Sequence, residues 1–113
     1  MTLDQQIQVV IDTIEELKGE NIVTLKVLEQ SADMEAIVIA TGRSTQHARS
    51  IANNIKIEAK RVGMKVLGME GANLGQWVLV DLAEVVVHVM TEQTREFYKL
   101  EKLWSSTEKD HED

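Results

Sequence analysis

The sequence predicts one α/β domain, a single mixed sheet covered by helices, and three observations predict it. Helical and strand-type apolar periods alternate along the 113 residues in the order α-β-β-α-β-β-β-α. The run MEAIVIA (34–40) is rich in β-branched residues and apolar on both faces, as a central strand must be. Finally, WVLVD (77–81) and VVVHVM (85–90) are separated only by LAE, which reads as an antiparallel hairpin. A chain of this length holds one apolar core without staples. No repeat or linker divides it, so residues 1–104 are expected to form the domain and 105–113 a disordered acidic tail.

Each element has its own warrant. Leu3, Ile7, Val10, Ile11, Ile14 and Leu17 follow helical spacing over 3–18, with a Thr2/Gln5 capping box in front and Gly19 where the helix stops. NIVTLKVLE (21–29) alternates Val23, Leu25 and Val27 against Thr24 and Lys26, a half-buried strand. After the turn QSAD and the central strand, Ser44 caps a helix over 45–62 whose buried stripe is Ala48, Ile51, Ala52, Ile55, Ala59 and Val62. Gly63 ends it, MKVLGM (64–69) is a short strand, and EGANLGQ (70–76) is a glycine-rich loop before the hairpin. Thr91 caps a last helix over 92–104, with Phe97, Leu100, Leu103 and Trp104 expected inward.

Composition excludes some functions. The formal charge of −7 argues against a general nucleic-acid binder, whose affinity comes from neutralising phosphates. Residues 41–67 nevertheless carry Arg43, Arg49, Lys56, Lys60, Arg61 and Lys65 against the single acid Glu58. An acidic protein with one basic segment suits a basic partner embedded in nucleic acid. Without cysteine there are no disulfides or thiolate metal sites, which fits the cytoplasm. No apolar run reaches the ~20 residues that span a bilayer. MTLDQQ lacks the layout of a signal peptide.

The stretch ATGRSTQHARS (40–50) could cradle a phosphate, and a nucleotide-binding or nucleotidyl-transfer enzyme using residues 42–45 is the alternative function. A P-loop needs more glycines and a lysine before Ser/Thr, and a nucleotidyl-transfer site needs paired carboxylates on the next strand. This segment has one glycine, and MKVLGM has no acid. Helix capping by Ser44 is the simpler reading. His47, His88 and Asp81 have no recognisable metal spacing. Asp81 and His88 could meet across the hairpin, but a dyad has no cysteine nucleophile to serve. Neither catalytic residues nor cofactors are expected. Trp77 at the sheet rim and Tyr98, one step off the apolar stripe, are the aromatics expected to reach the surface and anchor an interface.

TGRSTQHARSIANNI, GMEGANLGQWVLVDLAEVVVHVM and REFYKLEKLW resemble, in order and spacing, the signature stretches of the ribosomal silencing factor family, also called iojap-like proteins. The resemblance implies a nucleotidyltransferase-like fold without catalysis. It also implies binding to the large ribosomal subunit through its protein fourteen, which blocks small-subunit joining and lowers translation under nutrient limitation. Trp77, Leu79 and Tyr98, with Leu82 as a weaker nominee, are then the partner-facing residues. Arg43, Arg49, Lys56 and Lys60 are expected to form a stripe toward ribosomal RNA. An exposed Trp/Tyr patch can also pair with itself, so a homodimer is expected in the free protein. LAE departs from the Gly-Asp pair of many relatives and leaves open the backbone geometry at Ala83 and Glu84.

Overall fold

The computed structural model describes residues 1–26, 34–99 and 108–109. The elements are α1 (Leu3–Glu16), β1 (Glu20–Lys26), β2 (Ala36–Gly42), α2 (Thr45–Arg61), β3 (Gly68–Glu70), β4 (Trp77–Asp81), β5 (Val85–Thr91), α3 (Glu92–Tyr98) and β6 (Glu108–Lys109). They build one mixed sheet in the order β3-β4-β5-β2-β1-β6. The mixed α/β architecture is the one the patterning predicts. Among the described residues, its one parallel pairing joins β2 to β5, from Ala36 opposite Val85 to Gly42 opposite Thr91. Every residue of β2 is buried, which is why that run is apolar on both faces.

Strand alternation sends the two sides of the sheet to different layers. Val38, Ala40, Val78, Val80, Val87 and Val89 pack under α1 and α2, whose stripes Ile7, Val10, Ile14 and Ala48, Ile51, Ile55 complete the larger core. Leu25, Ile37, Ile39 and Met90 form a second cluster on the opposite side, where Trp77 and Val23 join them. Both helix starts are as expected. Thr2 and Gln5 form a reciprocal capping box, and the Ser44 hydroxyl accepts the His47 amide.

Four details correct the sequence reading. β3 starts at Gly68 rather than at 64, because Met64 bonds back to the Ala59 carbonyl and is buried below α2. Asp81 stands opposite Val86, while His88 stands opposite Leu79, so the hairpin does not bring Asp81 and His88 together. Phe97 is 78% exposed rather than inward. At ~100° per residue it lies roughly 160° around the helix from Arg95, the residue that α3 turns to the sheet. Leu100, Leu103 and Trp104 lie outside the described residues. Finally, within the stretch expected to be a tail, Glu108 and Lys109 pair antiparallel with Lys26 and Leu25.

Candidate docking face

The turn after β2 is organised for its own needs. A Cβ on Gly42 would stand 2.8 Å from the Ala48 nitrogen, so only glycine lets the first turn of α2 sit this close. The Arg43 amide donates to His47 Nδ1 at 2.9 Å, and the His47 amide donates to Ser44 Oγ at 3.0 Å. His47 Nε2 meets the Leu17 carbonyl at 2.8 Å, which is consistent with one neutral tautomer, protonated at Nε2 and accepting at Nδ1. Two amides that a phosphate would need are thus already used, and His47 ties the turn to the end of α1. Among the described residues, no group of three metal-ligating side chains comes together.

The aromatic residues do come together. Trp77 opens β4, and its ring centroid lies 4.9 Å from that of Tyr98 at 53°. Phe97 meets Tyr98 edge-on at the same distance. Tilted and edge-on pairs suit the ring quadrupoles and contribute about 0.5–1.5 kcal/mol each beyond their buried area. Tyr98 is 51% exposed. Leu79, two residues along β4 from Trp77, is half-buried on the same side of the sheet. Leu82 is different. It is 1% exposed and packed in the larger core, and its amide donates to the Val85 carbonyl within the turn. That burial removes Leu82 from the partner-facing set.

Two buried polar residues support this cluster, and neither stands out in the sequence as doing so. The Trp77 indole Nε1–H donates to His88 Nδ1 at 2.9 Å. Burial pushes the His88 imidazole down to about 4, so it is neutral near pH 7 and can accept. Arg95, also buried, donates from Nη1 to the Asn21 carbonyl at 2.6 Å and to Thr41 Oγ1 at 2.9 Å. The register of β1 against β2 shifts between Glu20 and Val23, and Asn21 adopts φ 52. This irregularity interrupts the ladder and leaves the Asn21 carbonyl to the guanidinium. The Thr91 amide donates to the Gln76 carbonyl at 3.1 Å, joining the start of α3 to the residue before Trp77.

The basic residues divide. Arg43 and Lys60 are exposed, and Lys56 is half-buried. Arg49 instead turns toward the glycine-rich loop, with Nη1 3.4 Å from the Asn73 carbonyl. A Cβ on Gly75 would stand 2.6 Å from that same nitrogen. Glu58, the one acid of the segment, pairs with Arg61.

Fold and surface together define the class: a mixed α/β domain whose distinctive exposed feature is an aromatic cluster, beside a turn whose amides are taken. Residues 1–113 match the family model described as ribosomal silencing factor during starvation. A Haemophilus influenzae ribosomal silencing factor is 36% identical over 99 residues, covering 88% of this chain and 97% of that protein. The crystal structure of a Chromobacterium violaceum protein superposes with a TM-score of 0.89 at 33% identity, covering 93% of this chain and 88% of that one. A mouse protein named for mitochondrial assembly of the large ribosomal subunit is 30% identical over 95 residues, covering 79% of this chain and 42% of that protein. The chain belongs to the ribosomal silencing factor family, whose members are ribosome-associated regulators of translation.

Proposed function

We propose that this protein binds the large ribosomal subunit through its protein fourteen, using Trp77, Leu79 and Tyr98. Seated there, it blocks joining of the small subunit and lowers translation when nutrients are scarce. The observation that carries this reading is the contact between the Trp77 and Tyr98 rings, with the Tyr98 ring open to solvent. Paired aromatics bury much area on docking while losing little side-chain freedom, which is how interface anchors work. The acidic balance of the chain favours encounter with a basic ribosomal protein, with apolar burial then setting residence time. The large subunit is also what the mouse relative is named for. Arg43, Lys56 and Lys60 extend the interface to ribosomal RNA, and Arg49 contributes by holding the loop before Trp77. We assign the activity to the cytoplasm, without catalysis or cofactor, and with the free protein pairing as a homodimer through the same aromatic face.

Sedimentation of purified subunits tests the reading. With the wild-type protein, it should travel with the large subunit and joined ribosomes should decline. A folded Trp77→Ala, Tyr98→Ala double variant should do neither. Normal joining in the presence of excess wild-type protein would refute the silencing mechanism.

A further inference from the structure

We propose that His88 is a positioning residue of the docking face: its Nδ1 receives the Trp77 indole N–H and so holds the ring in the orientation that packs against Tyr98. This inference rests on the docking reading above. Trp77 stands opposite Met90 and His88 opposite Leu79, so His88 is the diagonal neighbour of Trp77 across the hairpin. That offset is within reach of two large rings. The nitrogen atoms are 2.9 Å apart, and the ring centroids 5.9 Å apart at 52°. Tyr98 packs against the same indole, its ring centroid at 4.9 Å. The indole therefore contacts both a buried acceptor and an exposed ring.

Two consequences for docking follow from the chemistry of the indole. Trp carries one polar hydrogen, which must find an acceptor when its surroundings lose water. His88 supplies that acceptor from inside the protein, so a partner covering Trp77 needs to offer none and leaves no donor stranded. A half-buried indole free to turn would also lose that freedom on binding, whereas one already held does not. The acceptor has to be a neutral imidazole, because a protonated ring has two donors and no lone pair to offer. Burial keeps His88 in that neutral form.

The test uses the full chain with 15N label in Trp and His, and purified large subunits. A through-hydrogen-bond coupling between Trp77 Nε1 and His88 Nδ1 is expected in the wild-type protein, and its absence overturns the proposal without any variant. His88→Phe keeps a ring but removes the acceptor. It should shift the Trp77 indole proton, speed its exchange with solvent and weaken subunit binding by about tenfold. His88→Gln, which restores an acceptor, should recover part of each. In a Trp77→Phe background, which has no indole donor, His88→Phe should change affinity by no more than about twofold. An equal loss in that background assigns His88 a purely structural role and overturns the proposal. Lost binding in Trp77→Ala, Tyr98→Ala with unchanged binding in His88→Phe overturns the positioning role alone. Unchanged binding in the double variant overturns the docking reading, and the positioning role with it.

Discussion

Arg95 and Thr41 are 54 residues apart in sequence, yet the guanidinium of one donates to the hydroxyl of the other at 2.9 Å. This bond and its companion to the Asn21 carbonyl fasten α3, a helix of seven residues, to the end of the central strand and the start of β1. A helix this short has little stability of its own. Arg95→Ala should therefore cost about 2–4 kcal/mol, through lost packing and the loss of one buried and one part-buried hydrogen bond. Denaturant unfolding reads the loss. Near-ultraviolet circular dichroism should show the Trp77–Tyr98 pair coming apart, and an unchanged aromatic signal would mean that α3 is held by something else.

His88 makes stability depend on pH. Its ordinary value is 6.5, and in the folded chain burial lowers it to about 4. Between those values the unfolded chain takes up a proton that the folded chain refuses. The contribution is thus fully present above about pH 6.5 and is lost as pH falls toward 4, by up to about 3 kcal/mol. Carboxylates titrate near the lower limit, so the readout is a difference. Urea midpoints at pH 7 and pH 4.5 should diverge more for the wild-type protein than for His88→Phe.

At the β4–β5 turn, Ala83 adopts φ 74 while Glu84 stays out of the positive region. A two-residue hairpin loop with positive φ at its first central position is of the II′ kind, where glycine is the ordinary occupant. The Ala83 amide donates to Asp81 Oδ1 at 2.9 Å, a local bond that helps hold this geometry. Ala83→Gly should then stabilise the protein by about 1 kcal/mol, with relief of the strained φ outweighing glycine's extra chain entropy. A lowered thermal midpoint would show that the alanine is not strained.

The basic residues of α2 and of the turn before it should separate in a salt titration of subunit binding. Reversing Arg43, Lys56 and Lys60 to Glu should weaken binding and flatten its salt dependence, the log–log slope falling by roughly 0.7–0.9 for each phosphate no longer neutralised. Arg49→Ala should leave the slope nearly unchanged, since its guanidinium is directed at the Asn73 carbonyl. Its effect should appear as faster amide exchange over residues 71–76. Equal slopes for the wild-type and triple-reversal proteins would remove RNA from the interface.

Much of the fold was legible because period and punctuation agree. The 3.6-residue stripes of α1 and α2, their Thr2 and Ser44 caps, and the short LAE turn each point one way. Residues near the C-terminal end were less legible for a physical reason. The apolar stripe predicted for α3 gave Phe97 the inward place, while the residue that actually turns inward is Arg95, a charge whose burial depends on Thr41 and on an irregularity at Asn21. No local pattern encodes such a partner. The Trp77–His88 bond is similar: it follows from register, and one residue of slip would have sent the two rings to opposite faces. Leu82 was nominated from the resemblance alone, and no local pattern shows that this turn residue folds back into the core.

The parallel pairing of β2 with β5 has a temporal consequence. Its partners are about fifty residues apart, so the centre of the sheet cannot close until nearly the whole domain has been synthesised. The β4–β5 hairpin can form early, but Tyr98 follows it in the chain, and α3 needs Thr41 at the end of β2 to anchor against. The aromatic face is accordingly among the last parts of the molecule to mature. A nascent chain still emerging from the ribosome that makes it has not yet completed that face.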